Sequence, residues 1–535
     1  MSIETGDTSN QDRARPEEPA IHRAARLGRT DELAALVDAG ASIDERADLE
    51  FDHGPHLRQL TPLMFAARSV DGASVETLRW LVEHGADWRA VSEGRDSAAW
   101  YAAGGGAIWE PRSRDSVEDH AERLRYLLDL GLDPHECNFI GQSLMVEACT
   151  VGDPERVRLL LEREVSFDPI IPDGCAASRL TTKLHTTYLE PMDAGGAASS
   201  RIPLFCAAGS GSAETVRLLL EAGADPRTLD DSGGTALMQA GSVDAARTLL
   251  KAGVDLHATD RHGSDAFDQA FHASTEGDSS PHEAFEIGRF LIERGVDIER
   301  RDHFDKTRLA SAAFRHQADV VGFLISVGAD VRARDREGGT ALHSICWQGE
   351  YSDNDLNAAC ERIIRSLAAA GSEIDARNAA GSTPMHVAVA GDWGNATAVE
   401  TLLALGAHPD LANDRGETPL MLAADRPELA CMELLLRAGA DPMRKNAQGQ
   451  SSLAIAEQKV RYWREVVARG GDRGSGTRGD QSNELAAGDE EARRREEGTE
   501  PLSPDHSKLQ RSALQDHERS LAALRRAASS SPPER

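Results

Sequence analysis

Residues able to do chemistry are few in this chain, and their spacing does not favour it. There is no His-Glu-x-x-His helix, no Walker phosphate loop, no Gly-x-Ser-x-Gly turn and no calcium-loop spacing. Gly209–Glu214 reads GSGSAE and superficially resembles a phosphate loop. It falls between two helical segments, so a structural turn is predicted. Asp52, His53 and His56 could ligate a metal, but no pattern of orienting partners supports them. They stand as weak candidates; no metal, no cofactor and no catalytic residue is expected. Seven cysteines are scattered without a Cys-x-x-Cys pair. That usage predicts a reducing, cytoplasmic setting with neither disulfide framework nor zinc knuckle.

The bulk composition excludes further classes. The 535 residues carry 89 Asp plus Glu against 59 Lys plus Arg, a net charge of −30. Nucleic acids and anionic membranes are bound through Lys and Arg, so neither is an expected partner. No run of about 18 apolar residues could span a bilayer. The polar stretch Met1–Pro19 predicts no signal peptide. Length alone suggests about three or four domains. Aromatics are only 4%, however, with 47 Gly. That is thin for thick globular cores and directs attention to internal repetition.

One phrase recurs: an apolar helix, then Gly-Ala-Asp, then a polar turn leading to Thr. It reads LLLEAGADP at Leu218–Pro226, FLISVGADV at Phe323–Val331 and LLLRAGADP at Leu434–Pro442. The other half reads TALHSIC at Thr340–Cys346, TPMHVAV at Thr383–Val389 and TPLMLAA at Thr418–Ala424. Thr307 to Gly328 and Thr418 to Gly439 are 21 residues; Gly328 to Thr340 and Gly406 to Thr418 are 12. The period is therefore 33. The chemistry of each half is consistent with paired helices. Thr followed by Pro starts a helix as N-cap and N1. Leu420, Leu422 and Ala423 present one inward face; Met432, Leu435 and Leu436 present another. Gly439 ends the second helix.

Spacing and residue types together resemble the ankyrin repeat, with its Thr-Pro-Leu-His-x-Ala pattern. The fold class expected is an all-α repeat solenoid, an ankyrin-type stack of helix-turn-helix units with β-hairpin-like turns. About twelve units are predicted, starting near 19, 61, 97, 143, 202, 235, 265, 307, 340, 383, 418 and 451. The resemblance implies that His22, His343 and His386 are structural, their rings bonding neighbouring turns. Residues 1–18 read as a disordered N-terminal segment and 19–470 as the repeat array. Insertions are expected at 41–60, 104–118, 168–200, 272–284 and 349–359. In the fourth unit Glu164 replaces the expected Gly. Tyr462, Trp463 and Val466 are expected to cover the last unit's apolar end. Residues 471–535 read as a disordered charged tail, Gly- and Ser-rich at its start. Leu514, Leu521 and Leu524 could form a transient helix there.

The resemblance also implies function: recognition of another protein through finger tips and the concave groove, without chemistry of its own. Large side chains at such positions are the candidate partner-binding residues. They are Phe139 and Ile140 at one tip, His303 and Phe304 at another, Phe314 and Arg315 ending a first helix, Trp347 at the equivalent site of the next unit, and Tyr351 in its insert. Exposed aromatics with Arg match interface hot spots. The acidic chain would favour a basic partner, and it is read as a monomer. Two alternatives remain: a docking or regulatory subunit working through its tail, and an enzyme built in the inserts.

Overall fold

The computed structural model describes residues 18–49, 57–68, 72–104, 117–138, 142–166, 202–273, 281–302, 304–347, 354–391, 394–426, 428–469 and 504–530. They fall into two compact units, Met1–Val296 and Asp297–Arg535.

In the first unit the helices come in pairs. They are α1 (Ala20–Arg26) with α2 (Thr30–Asp38), α3 (Pro62–Arg68) with α4 (Val75–Glu83), α5 (Ala98–Ala103) with α6 (Val117–Asp129), and α7 (Leu144–Val151) with α8 (Pro154–Glu162). Then follow α9 (Pro203–Gly209) with α10 (Ala213–Glu221), a 3-10 turn (Ala236–Gln239) with α11 (Val243–Lys251), and α12 (Ala266–Ala273) with α13 (Pro281–Glu293). The second unit holds α14 (Arg308–Phe314) with α15 (Ala318–Ser326), α16 (Ala341–Cys346) with α17 (Asn354–Ala369), α18 (Pro384–Ala390) with α19 (Ala396–Ala404), and α20 (Pro419–Asp425) with α21 (Leu429–Arg437). It ends in two single helices, α22 (Ser452–Arg469) and α23 (Pro504–Ser530).

Within each unit, first helices pack on first helices of the next pair and second helices on second helices. The result is two helical layers whose core is thin. Alanines at the first-helix contacts, such as Ala66, Ala102, Ala312 and Ala423, are fully or almost fully buried. Their small side chains let backbones approach, which explains how the array packs with so few aromatics.

Local chemistry sets the helix ends. Thr418 Oγ1 accepts the Met421 amide with Pro419 at the first turn. Second helices close on left-handed glycines such as Gly328 (φ +96°) and Gly439 (φ +91°). Glu164, where Gly was expected, takes the same conformation at φ +59°. The fingers repeat one turn: Asp335 accepts the amides of Glu337 (3.0 Å) and Gly339 (2.7 Å). Asn378 does the same for Ala380 and Ser382.

The histidines couple successive repeats. His386 Nδ1 accepts the Thr383 amide at 3.1 Å, and Nε2 donates to the Glu417 carbonyl at 3.0 Å. His343 does likewise between Thr340 and Ser382. Burial pushes the His386 imidazole down to about 4, so the ring stays neutral in the fold while the unfolded chain takes up a proton below its ordinary value near 6.5. Its contribution is complete above that value and lost as pH falls toward 4. His386→Leu is expected to cost about 1–2 kcal/mol at pH 7 by orphaning both backbone groups, and to flatten the loss of stability between pH 6.5 and 4. Urea melts across that range check it; an unchanged pH slope would refute the role.

The structure gives several of the expected insertions a form. The 41–60 insertion is a hairpin, β1 (Ala47–Leu49) antiparallel to β2 (Leu57–Leu60); residues 52, 53 and 56 lie outside the described residues. Part of the 272–284 and 349–359 insertions is helix, because α13 and α17 run to 13 and 16 residues and start early. Most of 104–118, and the 168–200 insertion, lie outside the described residues, as do residues 1–17. In the unit that starts near 235 a four-residue 3-10 turn, Ala236–Gln239, replaces the first helix. Cys137 is disulfide-bonded, whereas the sequence suggested no such bond.

The largest correction concerns the tail. Residues 504–530, expected to be disordered, form α23, which packs on α22 and touches α21 and α20. His517, Ser520, Leu521 and Leu524 recur at helical spacing and are buried. Arg464 pairs with Glu518 at 2.7 Å and Arg525 with Glu457 at 3.0 Å. Low complexity hid a stripe too short to stand out from its charged surroundings. Tyr462 therefore does not cover the stack's end; it is exposed, while Trp463 lies 6.0 Å from the His517 ring.

Candidate interaction surface

The finger that precedes Thr307 carries the most unusual chemistry of the second unit. Asp302 accepts the amides of Phe304 and Lys306, both at 2.9 Å, which builds the same turn as in the sister fingers. Those sisters place Gly338, Gly381, Gly416 and Gly449 at the left-handed position; here Asp305 occupies it at φ +63°. An L-residue there costs about 1 kcal/mol. Arg301 secures it, pairing with the Asp305 carboxylate at 3.3 Å and donating to its carbonyl at 2.7 Å.

Arg301 also starts a ladder. It donates to the Arg334 carbonyl of the next finger. Arg334 donates to Arg377 O at 2.6 Å, and Arg377 to Ala412 O at 2.9 Å. Four consecutive fingers are thereby tied edge to edge, which gives side chains on them a fixed base.

Two of the sequence-predicted residues are well exposed, Phe304 on the first of these fingers and Trp347 at the end of a first helix. Phe304 is 59% exposed and Trp347 62% exposed. Phe314 is half-buried, with Lys306 Nζ 4.4 Å from its ring centroid, a cation–π contact. Arg315 is exposed beside it. Phe314 and Trp347 stand seven residues after Thr307 and Thr340, ending α14 and α16, which pack together. Later repeats carry Ala390 and Asp425 at that place. The structure thus links Phe304, Lys306, Phe314 and Arg315 locally and puts Trp347 one repeat along. Phe139, Ile140, His303 and Tyr351 lie outside the described residues. Lys306 was missed in the sequence; its place one residue before the helix cap could have flagged it.

A second cluster, unforeseen, lies inside the first unit. Ser92 Oγ donates to Asp96 Oδ2 at 2.8 Å and Tyr101 Oη to the same oxygen at 3.2 Å. Oδ1 of Asp96 is buried, and by strict geometry no described residue hydrogen-bonds to it. Ser97 bonds Glu136. Burial pushes Glu136 up to about 7, with the Ser97 bond opposing. Burial, then the Asp96 charge, pushes Glu147 up to about 8. Arg156 is buried too, paired with Asp153 at 3.0 Å and donating to Ala103 O. These groups sit in interfaces between repeats. Among the described residues no three His, Cys, Asp or Glu are grouped to hold a metal ion.

Charge divides unevenly. Residues 1–296 carry 51 acids and 28 bases, a net −23; residues 297–535 carry 38 and 31, a net −7.

Comparison with known proteins agrees with this architecture. A family model described as ankyrin repeats in three copies matches residues 173–260 and 356–446, and a single-repeat model matches 58–93. A Danio rerio protein named for palmitoyltransferase activity, ZDHHC13, is 32% identical over 147 residues, 27% of this chain and 20% of its own. The mouse B-cell lymphoma 3 protein homolog is 32% identical over 141 residues, 26% of this chain and 29% of its own. Mouse ankyrin repeat and SOCS box protein 16 is 34% identical over 116 residues, 21% of this chain and 24% of its own. The chain thus spans less than a third of the length of these relatives. No described helix is long and apolar enough to cross a membrane.

Proposed function

The chain is an ankyrin repeat protein, and from that premise we infer that it is a protein-interaction scaffold whose second unit grips a partner at the Phe304–Trp347 surface. The observation that carries this is the pair of large aromatics left exposed on a braced finger and at the end of the next first helix. Water gains by their removal from solvent, and the arginine ladder has already fixed the finger that presents Phe304. In this reading the chain has no chemistry of its own, works as a monomer in the cytoplasm and binds no nucleic acid. Five described cysteines are free thiols, usage suited to a reducing compartment, with Cys137 the exception. A basic partner belongs to this reading at residues 1–296, where the net charge is −23. Association there would be fast and weakened by salt.

The test uses the full chain as bait in affinity capture with mass spectrometry. Phe304→Ala/Trp347→Ala is expected to lose at least one wild-type partner by about tenfold or more, the effect of removing one hot spot. Both side chains are exposed, so the thermal midpoint should stay within about 1–2 °C. Equal recovery of every partner would remove the surface from consideration. The same capture after deletion of residues 471–535 separates the groove from the tail as the working segment: binding retained favours the groove.

A further inference from the structure

We propose that the Phe304–Trp347 surface takes an acidic peptide segment of its partner, one that sets a carboxylate beside an apolar side chain, although the chain as a whole is acidic. This rests on the reading of that surface as the partner site. The charges left available at that surface are cationic. Asp302 is consumed by the turn, accepting the amides of Phe304 and Lys306 and the Ser311 hydroxyl. Asp305 is consumed by Arg301. On the next finger Asp335 is consumed by the amides of Glu337 and Gly339. Glu337 alone on these two turns has no such use among the described residues.

The cations are placed differently. Lys306 has no ion pair among the described residues; its ammonium is held over the Phe314 ring. Arg315 is exposed and its guanidinium has neither hydrogen bond nor ion pair among the described residues. Lys306 lies over the Phe314 ring and Arg315 follows Phe314 in the chain. An ammonium on an aromatic face keeps its outer donors open, and a guanidinium offers a fork matched to a carboxylate. The finger is also held in a costly form. Asp305 stands where the sister fingers have glycine, so the fold tolerates a left-handed L-residue at the turn that presents Phe304 and Lys306. Backbone strain of this kind concentrates at functional places. The net charge of −30 does not oppose the assignment, because the second unit carries only −7 of it.

The experiment is selection of a random peptide phage library against the full-length chain, in parallel with Lys306→Glu/Arg315→Glu and Phe304→Ala/Trp347→Ala. Synthetic copies of the enriched peptides are then titrated by fluorescence anisotropy. The expected result is enrichment of peptides with net negative charge and an aromatic or aliphatic residue, with affinity falling about tenfold or more in both variants. Peptides that need Phe304 and Trp347 but are neutral or basic, or bind the charge-reversed variant equally, would overturn the acidic assignment and leave the surface standing. Peptides indifferent to Phe304 and Trp347, or no enrichment over an unrelated bait, would overturn both. Circular dichroism melts of the variants separate loss of binding from loss of fold.

Discussion

Leu524→Asp is expected to detach the C-terminal helix and lower the stability of the second unit by about 2–3 kcal/mol. Leu524 is completely buried and Leu521 nearly so, against α22 and its neighbours. Burial of one leucine contributes about 1.5–3 kcal/mol, and a charge at that place cannot stay docked. The loss is bounded, because α23 can leave without unfolding the pairs beneath it. In a stack, each element answers mainly to its neighbours. Docking is also imperfect. The His517 Nε2 and Ser520 Oγ are buried without hydrogen bonds among the described residues, each an unfavourable desolvation. The two ion pairs are on exposed groups and add little. Hydrogen exchange should show α23 losing protection, α22 losing part of its own, and Pro384–Ala404, which α23 does not pack on, unchanged. Unaltered protection across Ser452–Arg469 would mean that α23 does not cap the stack.

The second large effect concerns pH in the first unit. Glu147 is 2% exposed, on a first helix packed between two others. Burial raises its carboxyl from the ordinary 4.5 to about 8. The folded chain therefore keeps this proton over a range in which the unfolded chain gives it up. The contribution of this group is complete below about pH 4.5 and is lost as pH rises through 8. Each unit in that window is worth about 1.4 kcal/mol. Glu136, raised to about 7, acts in the same sense. Glu147→Gln removes the charge while keeping the shape. It should gain about 1–3 kcal/mol over wild type at pH 8 and little at pH 5. Urea titrations of wild type and variant at both pH values check it. Parallel pH slopes in the two proteins would show that Glu147 does not titrate with folding.

Glu147 also shows where a sequence stops being readable. It fills the variable place in Ser143-Leu-Met-Val-Glu-Ala, where the pattern tolerates any residue. Burial at that place depends on what Tyr101 and Cys206, its counterparts one repeat either side, put against it. The candidate surface was half legible. Phe304, Phe314 and Trp347 stood out because aromatics are scarce and the 33-residue register assigned their places. Lys306 over the Phe314 ring was not legible, since the contact depends on how one turn faces the helix that follows it.

The sequence by itself determined the repeat, its period, the helix starts at threonine and the ends at glycine. These are local: a hydroxyl reaches an amide three residues on, and a left-handed turn needs a residue that accepts it. Packing decides that Leu521 and Leu524 dock, that arginines on three fingers reach forward to a carbonyl of the next, and that an exposed Phe304 shares its turn with a lysine that has no carboxylate partner among the described residues. Those outcomes depend on distances between residues dozens of positions apart, and no residue's own propensity carries that information.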